Sequence, residues 1–173
     1  MNITDYLTLE AYVEIVTADT SGDGGVFVGK SSWSSADKGY LLGFDNSSNT
    51  EILTAQAFKS SGNYINKHQA HVGDDWHSIA GVYDKDLAST AKQDLYIDGT
   101  SYGTYTTGGT YDAIGTNSLP VRIARDSGTN NFYFTGKISE VRISNTARSA
   151  AWIKATNASN TNNFLTFSSP EIY

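Results

Sequence analysis

The feature that most constrains this chain is strict alternation in residues 7–15. Leu7, Leu9, Ala11, Val13 and Ile15 point one way, and Thr8, Glu10, Tyr12 and Glu14 the other. A period of two is the signature of a strand with one buried face. The pattern recurs in short runs. Val26-Phe27-Val28 follows a Gly22-Asp23-Gly24-Gly25 turn, and further runs cover residues 40–44, 52–58, 76–83, 119–124 and 132–144. In the fifth run Trp76, Ser78, Ala80 and Val82 share a face, with His77 on the other. Asp98-Gly99 between Leu95-Tyr96-Ile97 and Thr100 predicts a type I′ hairpin, whose two central residues need positive φ. Phe164, Leu165 and Phe167 are expected in a last strand. The one helix expected is short, about residues 150–156, capped by Ser149 or Thr146. Short strands separated by Gly-rich turns predict an all-β, antiparallel two-sheet sandwich in one domain, residues 1–173. Trp76, Val82, Leu95, Ile97, Val141 and Ile143 are the expected core, and Trp152 is expected to dock the helix.

Composition narrows function. The 12 Lys and Arg are scattered against 18 Asp and Glu, giving a net charge of −6. A nucleic-acid partner needs a clustered basic face, and an anionic membrane surface needs the same. Neither is expected, and no apolar run is long enough to span a bilayer. The chain has no Cys, which excludes disulfides, thiolate zinc sites and Cys nucleophiles. Met1-Asn2-Ile3-Thr4 leads into the first strand without a signal-like segment, so the chain is either cytoplasmic or a domain of a longer exported protein.

Several segments together carry a resemblance. Leu7-Thr8-Leu9-Glu10-Ala11-Tyr12-Val13 resembles the opening strand of laminin-G-like, concanavalin-A-like domains. Asp75-Trp76-His77-Ser78-Ile79-Ala80-Gly81-Val82-Tyr83-Asp84 resembles their W-H-x-V-A segment, and Leu95-Tyr96-Ile97-Asp98-Gly99 their Y-x-D-G hairpin. Gly136-Lys137-Ile138-Ser139-Glu140-Val141-Arg142-Ile143 resembles their closing G-x-I-x-E-V-R-I signature. The resemblance implies a jelly-roll sandwich. It also implies a module cut from a larger protein at the cell surface or outside the cell, since such domains usually carry one more strand before the opening one. Fold alone does not give function, because this architecture hosts lectins, hydrolases, lyases and adhesion modules.

The chemistry points to binding. The E-x-D-x-x-E strand motif of hydrolases with this fold is absent. Glu10 and Glu14 are expected on a solvated strand face, and Glu140 and Arg142 in a structural pair. His68 and His71 are expected in a loop, without a metal constellation. Trp33 sits in a polar loop, where it either stacks on a sugar or folds back over the sheet edge. Tyr133 is expected beside it at the rim. In laminin-type members a rim calcium is held by an Asp before the third strand and by neighbouring carbonyls. The resemblance places Asp37 there, with carbonyls near Asn130 or Asn131, and Asp23 is a rival. The leading expectation is a non-catalytic module for a neutral or weakly charged glycan. The alternative is a structural or adhesion module with a protein partner, and the third is a polysaccharide hydrolase or lyase.

Overall fold

The computed structural model describes residues 1–16, 24–32, 38–45, 52–60, 63–70, 73–88, 91–108, 112–128 and 132–162. Within them the chain forms β1 (Tyr6–Ile15), β2 (Gly25–Gly29), β3 (Gly39–Asp45), β4 (Ile52–Ser60), β5 (Asn63–Ala70) and β6 (Trp76–Asp84). These are followed by β7 (Gln93–Ile97), β8 (Thr100–Tyr102), β9 (Thr104–Gly108), β10 (Arg122–Ile123), β11 (Gly136–Ser144) and α1 (Ala150–Asn160). Two antiparallel sheets result, one in the order β11-β1-β6-β7-β8 and the other β10-β2-β3-β4-β5-β9. This is the expected jelly-roll sandwich.

Alternation sets what lies between the sheets. Leu7, Leu9, Ala11, Val13 and Ile15 of β1 meet Phe27, Val28, Tyr40, Leu42, Leu53, Ala55 and Ile65 of the other sheet. The sheets come close at Gly81, where an added Cβ would lie 2.7 Å from the Ala55 Cβ. The β7–β8 hairpin turns on Asp98 and Gly99, at φ 50° and 77°, as its turn chemistry requires. Leu95 and Ile97 are buried on the inner face, as expected.

The face assignments differ elsewhere. In β6 the sandwich core takes Ile79 and Tyr83, so Trp76, Ser78, Ala80 and Val82 face outward. Val82 is buried there beneath α1, with Ala80, Tyr96 and Ile153. Trp76 is only half-buried, its ring 4.9 Å from that of Tyr12. Val141 and Ile143 are partly buried, and among the described strands β11 lies at the edge of its sheet. Trp152 does not dock α1. It is 46% exposed under the Arg148 guanidinium, and Ile153 fills the interface instead. The α1 helix begins after Ser149, whose Oγ accepts from the Trp152 N–H, and runs past the expected end to Asn160. His68 lies in β5 rather than a loop. Strands β5 and β9 escape sequence reading because their polar residues, such as Asn66, Lys67 and His68, obscure the alternation. Only Arg122–Ile123 of the run at 119–124 forms a strand, and β11 starts at Gly136 rather than residue 132. The strand expected at Phe164, Leu165 and Phe167 lies outside the described residues, as does His71. No described helix is long and apolar enough to cross a membrane.

Candidate functional site

One rim of the sandwich is built around a buried lysine. Lys30 follows β2 and is 4% exposed. Its Nζ donates to Asn117 Oδ1 at 2.9 Å, to the Asn117 carbonyl at 3.1 Å and to the Leu119 carbonyl. Asn117 Nδ2 in turn donates to the carbonyls of Lys30, at 2.8 Å, and Lys38. Gly39, at φ 117°, completes the junction, since a Cβ there would collide with the Lys30 carbonyl. Only glycine meets both demands cheaply. No described residue of the cage is a carboxylate, and burial lowers the Lys30 pKa. Lys30 and Lys38 flank the segment that carries Trp33 and Asp37, so the cage fixes both ends of that segment.

Beside the cage, Asp126 is fully buried and its Oδ1 accepts from the Gly128 N–H at 2.5 Å. Ser127 Oγ donates to the Gly29 carbonyl at 2.9 Å, and Ser31 and Ser32 are buried nearby. A Cβ on Gly128 would collide with Ser32, so these two stretches touch. Residues 132–134 close the rim. The Phe132 carbonyl accepts from Val26, Phe134 packs edge-on against Phe27, and the Phe134 N–H donates to the Ala124 carbonyl. Between these two anchored phenylalanines Tyr133 is 55% exposed, with the Arg125 guanidinium 6.0 Å from its ring centre. The geometry is a fixed backbone presenting one aromatic ring with a cation at its side.

The outward face of the five-stranded sheet is the second concentration of polar chemistry. Glu10 is paired across strands with Arg142 and with Ala80, yet Arg142 makes its ion pair with Glu140. Glu14 pairs with Lys137 at 2.5 Å. Glu10 is not solvated as expected. It is 6% exposed, because the chain after β11 returns as α1 over this face. At the start of β6, His77 Nδ1–H donates to Asp98 Oδ2 at 2.7 Å, while Asp98 Oδ1 accepts from the Ser78 N–H at 2.9 Å. That carboxylate locks the turn to the neighbouring strand.

A laminin-G family model, described as the concanavalin A-like lectin/glucanases superfamily, matches residues 1–154. The chain belongs to the concanavalin A-like lectin/glucanases superfamily. No curated protein matches it in sequence. Among solved structures, it resembles the heptameric SAP-like pentraxin of Limulus polyphemus at a TM-score of 0.60 and 14% identity, over 91% of this chain and 72% of that one. The binding domain of Paraclostridial Mosquitocidal Protein 1 gives 0.61 and 14%, over 91% of this chain and 38% of the other. The botulinum neurotoxin DC binding domain, solved in complex with SialylT, gives 0.53 and 13%, over 90% and 36%. The same toxin domain has also been solved with rat synaptotagmin II. The chain thus spans a little over a third of these toxin binding domains. At such identities the likeness is one of fold.

Of the expected site residues in this concanavalin A-like sandwich, Tyr133 lies within the described residues, exposed beside Arg125. Trp33, Asp37, Asn130 and Asn131, and the rival Asp23, lie outside the described residues. Sequence reasoning missed Asp126 and Lys30. Asp126-Ser127-Gly128 carried a signal, since Asp before Ser-Gly favours an Asx turn onto the backbone two residues on. Lys30 carried none, because a caged lysine and a solvated one read alike.

Proposed function

We propose that this chain is a non-catalytic glycan-recognition module of a larger extracellular or cell-surface protein, with its contact rim at Tyr133 and Trp33. The observation that supports this reading is the exposed Tyr133 ring, held between two anchored phenylalanines with Arg125 alongside. An aromatic face with adjacent polar groups suits the C–H face and hydroxyls of a sugar. Superfamily membership and likeness to a toxin domain solved with SialylT are compatible with such a ligand. Calcium fits the same rim chemically. The buried oxygens of Asp126, Ser31 and Ser32 beside Gly128 are hard donors of the kind calcium takes. In this proposal Asp37 and carbonyls near Asn130 and Asn131 hold the ion, which would bridge sugar hydroxyls to the rim.

Isothermal titration against neutral and weakly charged oligosaccharides tests the reading. Tyr133→Ala and Trp33→Ala should each weaken binding by roughly 1–3 kcal/mol, the loss of an ordinary anchor, with the fold intact. Unchanged affinity in both variants would remove the rim from consideration. Product release from the same sugars would make the chain an enzyme. A protein-partner reading draws support from Trp152, exposed on α1 and stacked with Arg148 at 4.1 Å. It would be favoured if Trp152→Ala, and not the rim variants, abolished capture of a partner.

A further inference from the structure

Buried carboxylates in folded proteins are paired, hydrogen-bonded or bound to a cation, because burying an isolated charge is costly. Among the described residues Glu10 meets none of these conditions. It is more than nine-tenths buried, and no described residue gives it a hydrogen bond or an ion pair. Its cross-strand neighbour Arg142 is the obvious partner, but that guanidinium is turned to Glu140. Glu10 instead lines a small pocket between the outward sheet face and α1, shared with Tyr12, Ser78, Glu140, Arg142 and Asn160, and its carboxylate oxygens are not among the fully enclosed, unpartnered atoms. With two carboxylates and one guanidinium, this lining carries a net negative charge.

We infer that this pocket is a cation site that takes a primary ammonium group, with Glu10 as its counter-ion. Three features select ammonium over a metal ion. The enclosed space admits a single water-sized group, and an ammonium has that size. Arg142 in the lining repels a divalent ion more strongly than a monovalent one. The acceptors suit three N–H donors better than a calcium shell of six to eight oxygens. Asn160 Nδ2 already donates to Ser78 Oγ at 2.9 Å, which leaves the Asn160 carbonyl oxygen to accept alongside Glu10. The Tyr12 ring, braced by Trp76, gives the stem of an alkylammonium an aromatic wall. The site lies on the outward side of the five-stranded sheet and shares no residue with the Tyr133 rim, so it stands independently of the glycan reading.

The test is a titration of the isotope-labelled chain with methylammonium chloride, followed by amide chemical shifts. Sodium chloride and tetramethylammonium chloride at equal ionic strength are controls. Saturable shifts at Ser78 and Asn160 with methylammonium alone are expected. They should need at least tenfold more ligand in Glu10→Gln and be unchanged in Tyr133→Ala. Glucosamine and Nα-acetyl-lysine amide, as competitors, then show whether the ammonium arrives on a sugar or on a lysine side chain. Shifts equal to those with sodium, or full binding by Glu10→Gln, overturn the inference. Should Glu10→Gln fail to fold, the wild type's selectivity for methylammonium over tetramethylammonium decides the question.

Discussion

Replacing Lys30 by methionine tests the structural basis of the rim most directly. Methionine keeps an unbranched stem of similar length and removes only the ammonium, so stem packing and charge are separated. In the native chain the ammonium serves three oxygens: Asn117 Oδ1, the Asn117 carbonyl and the Leu119 carbonyl. Asn117 Oδ1 keeps the Leu119 N–H at 2.9 Å, so the two carbonyls are the oxygens left short of a donor, at about 1–3 kcal/mol each in a buried site. Removal of the buried charge returns part of this, because the ammonium was itself held at a desolvation cost, as its lowered pKa indicates. Water reaching the exposed side of the cage recovers another part. The net expectation is a loss of roughly 2–4 kcal/mol, a large fraction of the 5–15 kcal/mol typical of a domain. For a chain of this size that is a fall of about 5–15 °C in melting temperature. Urea unfolding of wild type, Lys30→Met and Lys30→Ala measures it. Methionine should cost nearly as much as alanine. A methionine variant within about 0.5 kcal/mol of wild type would show that the cage oxygens find other partners and that the argument is wrong. Because Lys30 and Lys38 flank the segment bearing Trp33 and Asp37, the same variant should also weaken calcium and glycan binding.

Other outcomes follow from the same geometry. Calcium should raise the melting temperature relative to EDTA, by an amount equivalent to roughly 2.7 kcal/mol at a hundredfold excess over Kd, and Asp37→Ala should abolish the difference. Ile153→Ala, which empties the contact between α1 and the sheet, should cost about 2–4 kcal/mol in urea unfolding, while Trp152→Ala should cost under about 1 kcal/mol. The chain should lose stability in alkali. Burial pushes the Tyr40 and Tyr96 phenols up to about 12, above their unfolded value, so the folded state keeps protons that the unfolded chain releases. Stability is therefore intact below about pH 10 and lost as pH rises toward 12, by roughly 2–3 kcal/mol per tyrosine, which pH-dependent unfolding measures.

The legible part of the fold was the part governed by period and turn chemistry. β1 alternates cleanly because one face meets the sandwich core, and Asp98-Gly99 can only be a turn of a particular kind. What alternation does not carry is which face is inward when both are covered. In β6 both faces bear apolar groups, since α1 covers one and the second sheet the other, so Trp76 and Val82 were assigned to the wrong layer. The same cover explains Glu10: a carboxylate on an alternating strand reads as solvated until a distant helix is placed over it. Trp152 and Ile153 are neighbours on α1, and their exposures follow from the rotation of the helix about its axis, which an 11-residue segment with few apolar positions does not specify. At the rim the aromatic Tyr133 was readable as a loop side chain. Lys30 and Asp126 were not, because their burial comes from contacts between stretches almost a hundred residues apart.

The charge argument changes once the rim is in view. A net charge of −6 governs what the whole molecule attracts from a distance, and on that ground acidic polymers are disfavoured. At contact, however, screening limits each charge to about 8 Å in physiological salt. Within that range of the Tyr133 ring stands the Arg125 guanidinium, on the same rim as Arg122 in β10, while Asp126 is buried and turned onto the Gly128 backbone. The negative total is carried by other parts of the surface, including the exposed Asp74 and Asp75 ahead of β6. A ligand with an isolated carboxylate therefore meets repulsion on approach and an available cation on arrival. A densely sulfated chain meets the repulsion at every repeat. On the proposed glycan reading, this surface would therefore discriminate by charge density rather than by charge alone.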